Sequence, residues 1–202
     1  MRMRNPKNMD EILNSCNYFL TEDLFNNDND ICLEIGMGKG NFLLGMCLNH
    51  PNINYIGVEK YSSVICSAIK KINEYELDNL KILNIDIMDI PQYLYGKIKT
   101  IYLNFSDPWP KDRHAKRRLT SVQFLSRYDQ FLEPDGRVIF KTDNRPLFDF
   151  SLEQVEEAGW ILENHTFDLH HSEFLEGNVM TEYESKFVAE GKPINRMVIY
   201  RK

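Results

Sequence analysis

Several features that mark specialised protein classes are scarce or missing in this sequence. Glycine and proline number only 10 and 8 in 202 residues, which excludes collagen-like and low-complexity chains. The cysteines form no C-x-x-C pair and have no histidine at metal-ligand spacing, so they predict neither a disulfide framework nor a zinc site; they are Cys16, Cys32, Cys47 and Cys66. We therefore expect reduced, mostly buried thiols, no bound metal and a cytoplasmic protein.

Long apolar runs are missing as well. The stretch 41–58 has no charged residue, but it is interrupted by His50 and Pro51 and is unsuited to crossing a bilayer. The first seven residues are basic, but no apolar segment follows them, so they do not have the pattern of a secretory signal. These absences predict a soluble protein without membrane contact, and we expect a monomer.

The chain has no overall excess of positive charge, since its formal net charge is −6. A protein of that charge does not coat nucleic acid or an anionic membrane through bulk attraction. The cations are nevertheless concentrated: Arg2, Arg4 and Lys7 carry three charges, and residues 111–118 contain five cations and one acid. The rest of the chain then carries −13. This distribution predicts a focused contact with a few phosphates.

Short apolar runs alternate with segments of helical periodicity along most of the chain. The strand candidates are residues 31–35, 54–59, 80–85, 99–105, 137–142, 160–167 and 195–201. The helix candidates are residues 10–19, 41–48, 63–77, 121–132 and 146–158. This alternation predicts an α/β domain over residues 31–202, with helices on both faces of a mostly parallel seven-stranded sheet and an antiparallel last strand. Residues 1–30 are predicted to form a basic N-terminal arm that contains a helix.

The first strand candidate runs into a glycine-rich turn, Glu34-Ile-Gly36-Met-Gly38-Lys-Gly40. Ligands of open α/β sheets bind outside the carboxyl ends of the strands, and glycines there let a ligand approach the backbone. The spacing G-x-G-x-G differs from the G-x-G-x-x-G of dinucleotide-binding turns. A carboxylate at Glu34 would also repel a pyrophosphate and attract a cation. The turn therefore favours S-adenosylmethionine, which carries a sulfonium and an ammonium group, over a nicotinamide dinucleotide.

Two further acids end the next two strand candidates. Glu59 lies 19 residues after Gly40, where a carboxylate can accept hydrogen bonds from both ribose hydroxyls. Asp86 follows the third strand and is placed to contact the adenine edge. Each acid alone is typical of a solvated carboxylate at a strand end, but the set with its glycine turn favours a cofactor site. The predicted S-adenosylmethionine-binding residues are Glu34, Gly36, Gly38, Glu59 and Asp86.

The fourth strand candidate runs into Asn104-Phe-Ser-Asp107-Pro-Trp-Pro-Lys111, and a basic run continues to Arg118. The first part by itself is typical of a proline-stiffened loop, and a basic run is typical of a solvated face. At the ligand-binding edge, however, Asp-Pro-Trp-Pro resembles the Asp-Pro-Pro-aromatic motif of methyltransferases that act on base nitrogens, which implies a catalytic loop. The adjoining basic run is then suited to holding phosphates. The Trp109 ring is equally suited to stacking on a base and to packing under the basic run.

The run L-N-F-S-D-P-W-P-K-D-R-H-A-K-R-R-L resembles the signature of bacterial tRNA (guanine-N7-)-methyltransferases. The resemblance extends to E-I-G-M-G-K-G, to F-K-T-D-N, and to D-L-H and N-V-M-T-E-Y-E-S-K-F, and so covers residues 31–202. It implies a Rossmann-like class I methyltransferase. The implied reaction moves a methyl group from S-adenosylmethionine to N7 of a guanosine in the tRNA variable loop, at position 46 in standard tRNA numbering.

The resemblance also implies roles for individual residues. It places Asp107 beside the cofactor and in catalysis. The substrate-binding residues that it implies are Lys111, Asp143, Thr181, Glu182, Tyr183 and Glu184. The tRNA-binding residues that it implies are Arg113, His114, Lys116, Arg117 and Arg118. Because N7 of guanine has a lone pair and no proton, we expect catalysis by positioning and by a carboxylate, without a metal or a nucleophilic triad.

Other interpretations remain open from sequence. A methyltransferase of a small molecule or of a protein side chain would leave residues 111–118 without a role. A non-catalytic RNA-binding module would leave the cofactor acids without one, and Glu34 disfavours a nicotinamide oxidoreductase. A methyltransferase that acts on another RNA is a further alternative. The segment Thr181-Glu-Tyr-Glu184 also matches a capping box at the start of a helix, which Gly191 and Pro193 would end. We interpret His170 and His171 as loop residues.

Overall fold

The structure, a computed structural model, describes residues 5–202. It divides into two compact units, Met1–Tyr93 and Leu94–Lys202. Each unit is built on β-strands and is described below by itself. Arg2 and Arg4, two of the cations of the predicted arm, lie outside the described residues.

The first unit contains three parallel strands in the order β3-β2-β1. They are β1 (Ile31–Ile35), β2 (Asn54–Val58) and β3 (Leu80–Leu83), and the helices are α1 (Met9–Asn14), α2 (Asn41–Asn49) and α3 (Ser62–Ile72). All five residues of β2 are buried, as expected for a parallel strand covered on both faces. The apolar residues that recur at helical spacing in α3, including Ile65 and Ile69, are buried.

Two helices of this unit are shorter than predicted, because tertiary contacts end them. The backbone N–H of Leu20 donates to the carbonyl of Ile82 in β3 at 2.9 Å, so the chain after α1 is extended and helix 10–19 stops at Asn14. Helix α3 ends at Ile72, five residues before the predicted end, where the Asn73 amide donates to the carbonyl of Ser15 at 2.9 Å. The described residues of the arm thus pack within the first unit, while a domain boundary at residue 31 stays a prediction.

The second unit contains four strands in the order β4-β5-β7-β6. They are β4 (Ile98–Asn104), β5 (Leu132–Thr142), β6 (Ile161–Thr166) and β7 (Asn195–Tyr200). The helices are α4 (Val122–Phe131), α5 (Arg145–Glu157) and α6 (Glu182–Ala189), and a 3-10 helix spans Asp112–Arg117. Strands β4 and β5 are parallel, whereas β7 is antiparallel to both its neighbours. The predicted seven strands, the parallel pairing and the antiparallel last strand are confirmed.

Strand β5 starts at Leu132, five residues earlier than predicted. Its pairing with β4 shifts from Ile98 opposite Leu132 to Thr100 opposite Arg137, so residues 133–136 form an irregularity within the strand. These residues include Pro134 and Gly136, which turns favour, and the sequence pattern therefore indicated a loop. A Cβ at Gly136 would lie 3.0 Å from the carbonyl oxygen of Ile98, so the close approach requires glycine.

Candidate active site

The glycine-rich turn follows β1 directly, and all three of its glycines have positive φ angles. Gly36, Gly38 and Gly40 have φ angles of 79°, 57° and 72°, which side chains other than glycine rarely adopt. The N–H groups of Gly36 and Met37 both donate to the carbonyl of Val58, at 2.8 and 3.0 Å. The end of β2 therefore fixes the turn.

Met37 anchors this turn in the interior of the first unit. Its side chain is buried and fills the space over Gly57 of β2, where an added Cβ would lie 2.4 Å from the Met37 sulfur. The sequence interpretation missed Gly57. Its signal was a lone glycine inside an apolar strand, which often marks a close approach of another segment.

Glu59 connects the glycine turn to the start of α3. Its Oε2 accepts a hydrogen bond from the Gly38 N–H at 3.1 Å, and its Oε1 accepts one from the Tyr61 N–H at 2.8 Å. The Glu59 side chain is buried, and so is Glu34, which lies beside Gly57 in the β1–β2 register. The backbone thus orients Glu59, because each of its carboxylate oxygens accepts a hydrogen bond from a backbone N–H.

Asp86 lies just beyond β3 and is bound from two sides. Its Oδ1 accepts from the Met88 N–H at 3.0 Å, and its Oδ2 lies 2.6 Å from the Lys60 Nζ. This hydrogen bond raises the pKa of the Lys60 ammonium. The side chains of Tyr61 and Met88 are exposed beside the two acids. The predicted acids therefore follow neighbouring parallel strands, and Lys60 is an additional charge that the sequence interpretation did not include.

This arrangement fits S-adenosylmethionine. Three carboxylates at the carboxyl ends of β1, β2 and β3 suit a ligand with two positive groups, two ribose hydroxyls and an adenine amine. Added Cβ atoms at Gly36 and Gly38 would meet no atom within 4 Å among the described residues, so the outer side of the turn is open. The observed chemistry thus agrees with the predicted cofactor-binding residues, whose roles stay predictions.

In the second unit, the Asp107 loop (residues 105–110) follows β4. Phe105 and Trp109 have φ angles of 52° and 41°, and they are the positive-φ residues other than glycine in residues 5–202. Such conformations cost roughly 1–3 kcal/mol each and persist where the surroundings enforce them. Asp107 is exposed between them. The loop therefore holds its carboxylate outward on a strained backbone.

Two arginines of the basic segment (residues 111–118) contact the Asp107 loop. The Arg118 guanidinium donates from Nε to the carbonyl of Pro108 at 3.0 Å and from Nη2 to that of Trp109 at 3.1 Å, and it lies 4.2 Å from the centre of the Phe150 ring. Arg117 lies 5.0 Å from the centre of the Trp109 ring, and its side chain is exposed. Trp109 thus packs under the basic segment, which is one of its two predicted roles.

The remaining predicted tRNA-binding residues lie on and beside the 3-10 helix Asp112–Arg117. Lys111, Arg113 and Lys116 are exposed, whereas His114 is half-buried against the edge of the Trp109 ring at 5.7 Å between centroids. The cations that face solvent are therefore displayed next to the Asp107 loop. Their contact with tRNA stays a prediction.

Asp143 follows β5, as Asp107 follows β4, and the two parallel strands bring these ends to one edge. The register pairs Asn104 with Lys141, and the Phe105 N–H donates to the Lys141 carbonyl at 2.8 Å. Asp143 is half-buried. The structure thus gathers the predicted catalytic acid and one predicted substrate-binding acid at the same edge of the second unit.

Glu184, also predicted to bind substrate, is fully buried in a polar cluster with Lys141, Asn178 and His170. Its Oε2 lies 2.7 Å from Lys141 Nζ, and its Oε1 accepts from Asn178 Nδ2 at 2.7 Å and lies 3.0 Å from His170 Nε2. Lys141 also donates to the Asn178 side chain at 2.9 Å. Glu184 therefore has a structural role in joining β5 to α6, and its contact with substrate stays a prediction. The sequence interpretation missed Lys141, Asn178 and the role of His170.

The segment Thr181–Glu184 begins α6 with the predicted capping box, which is confirmed. The Glu184 N–H donates to the Thr181 hydroxyl at 2.9 Å, and the Glu184 carboxylate accepts from the Thr181 N–H. Glu182 and Tyr183 are exposed on the first turn. The Tyr183 ring stacks on Phe187, which contacts Phe105 at the start of the Asp107 loop. These rings connect α6 to the predicted catalytic loop.

No helix within residues 5–202 is both long enough and apolar enough to span a membrane. In the same part of the chain, His, Cys, Asp and Glu side chains form no group of three or more that could hold a metal ion.

Known proteins resemble this chain over its whole length. A family model described as a putative methyltransferase matches residues 28–197. The chain is 54% identical to the tRNA (guanine-N(7)-)-methyltransferase of Lachnoclostridium phytofermentans, covering 100% of this chain and 99% of that protein. It is 51% identical to the protein of the same name from Bacillus subtilis, covering 86% of this chain and 81% of that protein.

Solved structures share its fold at low sequence identity. The 16S rRNA methyltransferase KamB matches with a TM-score of 0.63 at 14% identity, covering 97% of this chain and 94% of that chain. An antibiotic-related methyltransferase matches with a TM-score of 0.61 at 16% identity, covering 98% and 95%. The predicted Rossmann-like class I methyltransferase fold is thereby confirmed, and the full-length identity shows that this chain belongs to the family of tRNA (guanine-N(7)-)-methyltransferases.

Proposed function

We propose that this protein transfers a methyl group from S-adenosylmethionine to N7 of a guanosine in the tRNA variable loop, at position 46 in standard tRNA numbering. The observation that carries the proposal is the 54% identity over the whole chain to a protein named for this reaction. The exposed Asp107 beside a basic segment and the three acids of the first unit support it. We further propose that the protein is cytoplasmic and acts as a monomer.

The first unit binds the cofactor in this proposal. S-adenosylmethionine supplies a methyl group on a sulfonium, which is electrophilic enough to react with a neutral nitrogen. Glu59, held by the Gly38 and Tyr61 N–H groups, accepts hydrogen bonds from the ribose hydroxyls. Asp86 contacts the adenine edge, and Glu34 with the glycine turn attracts the cationic amino-acid portion.

The second unit binds and activates the guanosine. N7 has an in-plane lone pair and no proton, so the reaction needs no general base. The guanine ring gains positive charge as the methyl group arrives, and a fixed carboxylate lowers the energy of that charged state. We assign this role to Asp107, because its loop is held by the hydrogen bonds of Arg118 and leaves the carboxylate exposed. Asp143 and the first turn of α6 contact the other edges of the base.

The basic segment, residues 111–118, holds the tRNA backbone. Lys111, Arg113, Lys116 and Arg117 are exposed cations on or beside one short helix, next to the Asp107 loop. A variable-loop base takes part in tertiary contacts in folded tRNA, so it must leave them to reach Asp107, at a cost of a few kcal/mol. Phosphate contacts that form at the same time offset part of that cost.

The proposal is tested with labelled S-adenosylmethionine and an unmodified tRNA transcript. Product tRNA is cleaved chemically at N7-methylguanosine, and we expect one cut in the variable loop. Asp107→Asn removes the charge and keeps the shape, so we expect turnover to fall by roughly 100- to 1,000-fold while tRNA affinity stays close to that of the unaltered protein. Label on a small molecule, on another RNA position or on no substrate would refute the proposed function.

A further inference from the structure

Arg118 differs from the other cations of the basic segment in what it contacts. It is half-buried, and two of its guanidinium N–H groups donate to the carbonyls of Pro108 and Trp109. Its guanidinium carbon also lies over the Phe150 ring of α5, 4.2 Å from the ring centre. By contrast, Lys111, Arg113 and Lys116 have exposed side chains.

The loop that Arg118 contacts needs external support. Its two positive-φ residues, Phe105 and Trp109, lie on either side of Asp107. A strained loop relaxes unless neighbouring groups hold it. Proline at 108 and 110 limits the backbone but provides no N–H to hydrogen-bond the loop to its surroundings. At its start the loop is held by the Phe105 N–H, which donates to the Lys141 carbonyl. Beyond Asp107, the carbonyls of residues 108 and 109 both accept hydrogen bonds from Arg118.

We propose that Arg118 is a positioning residue: its guanidinium holds the Asp107 loop in its strained conformation and does not bind tRNA phosphate. The proposal rests on the proposed function, because it assigns Asp107 the role described there. It changes the role that the sequence resemblance implied for Arg118 and leaves phosphate binding to the exposed cations. Lysine cannot replace arginine here, because two carbonyls and a ring face require a planar group with several N–H donors.

The kinetic test compares Arg118→Lys with Arg113→Ala. For Arg118→Lys we expect kcat to fall roughly 10- to 100-fold, since a small displacement of a catalytic group has effects of that size. The KM for tRNA and the salt dependence of tRNA binding should stay unchanged. For Arg113→Ala we expect a higher KM and a slope of log affinity against log salt that is smaller by about 0.7–0.9, the value of one lost phosphate contact.

Arg145→Ala is the matched control, because Arg145 is an exposed arginine that also lies over a phenylalanine ring, 3.9 Å from the centre of Phe167. Rates are expressed per molecule that binds S-adenosylmethionine, so loss of folded protein does not imitate loss of kcat. Arg118→Ala with added methylguanidinium provides a second measurement. We expect the small cation to restore part of kcat in Arg118→Ala and to leave Arg145→Ala unaffected.

A readout without catalysis separates this inference from the proposed function. The protein has two tryptophans, so fluorotryptophan labelling gives two ¹⁹F resonances, and a Trp160→Phe variant identifies that of Trp109. We expect Arg118→Lys to shift or broaden the Trp109 resonance and Arg145→Ala to leave it in place. An unchanged resonance and kcat, or a smaller salt slope in Arg118→Lys, would overturn the positioning role. Failure of the unaltered protein to methylate tRNA would instead refute the proposed function.

Discussion

Breaking the buried ion pair between Lys141 and Glu184 should destabilise the protein strongly. Both side chains are almost completely buried, with 3% and 0% exposed, and their charged atoms are 2.7 Å apart. Glu184→Gln keeps the size of the side chain and leaves the Lys141 ammonium in the interior without the opposite charge. Removing one partner of such a pair costs about 3–5 kcal/mol in the free energy of unfolding.

The expected loss can be measured as a melting temperature. For a chain of this size each kcal/mol shifts the midpoint by about 2–4 °C, so Glu184→Gln should melt roughly 6–20 °C lower. Urea unfolding gives the free energy directly. Lys141→Met should also destabilise, but the double variant should lose at least about 1 kcal/mol less than the sum, because neither charge is then left alone.

Asp149→Asn is the control for this prediction. It breaks the ion pair of Asp149 with Arg145, whose charged atoms are 2.6 Å apart but whose side chains are 48% and 55% exposed. Exposed pairs contribute only about 0–1 kcal/mol. The reasoning would be refuted if Glu184→Gln lost no more stability than Asp149→Asn. It would also be refuted if the stability losses of Glu184→Gln and Lys141→Met simply added in the double variant, because burial would then not determine the energetic effect of the pair.

Three further predictions concern other parts of the chain. Gly57→Ala should lower the free energy of unfolding by about 1–3 kcal/mol and weaken S-adenosylmethionine binding in calorimetry, because the new Cβ displaces Met37 from under the glycine turn. Combining Gly57→Ala with Met37→Ala should restore part of the lost stability. Burial, with a smaller contribution from the charge of Glu34, raises the pKa of the Cys47 thiol to about 12, whereas an unfolded thiol titrates near 8.5. The raised pKa of the Cys47 thiol stabilises the folded protein fully below pH ~8.5. As pH rises towards about 12 this stabilisation is lost, at up to about 1.4 kcal/mol per pH unit. The free energy of unfolding of Cys47→Ala, measured in urea, should therefore depend less steeply on pH in that range. The double variant Arg113→Ala/Lys116→Ala should reduce the salt slope of tRNA binding by about 1.4–1.8, and an unchanged slope in filter binding would contradict their contact with phosphates.

The structural predictions were most accurate where local sequence fixes local structure. The glycine turn has the positive φ angles that its glycines allow, and Thr181 caps α6 through the Glu184 N–H as the S/T-x-x-E pattern predicts. Both features depend on residues within a few positions of each other. The order of strands and helices followed in the same way from the period of the apolar residues.

Errors arose where distant residues compete with local preference. The stretch after α1 has a helical pattern, but pairing of Leu20 with Ile82 makes it extended. Charged residues likewise make distant contacts that local sequence does not show. The Arg118 guanidinium binds the carbonyl of Pro108, and the Glu184 carboxylate is buried against Lys141. The ligand contacts predicted for both residues stay predictions.

The sequence by itself determined the α/β class, the acids that end β1, β2 and β3, and the position of the Asp107 loop beside a basic segment. These follow from spacing along the chain, because apolar periodicity sets the elements and the residues after each strand must lie at its end. Only the tertiary structure decided which cations of residues 111–118 remain exposed and which support the loop. That division depends on where Phe150 and the carbonyls of the Asp107 loop lie in space, and a guanidinium satisfies whichever acceptors and ring faces the fold brings within its reach.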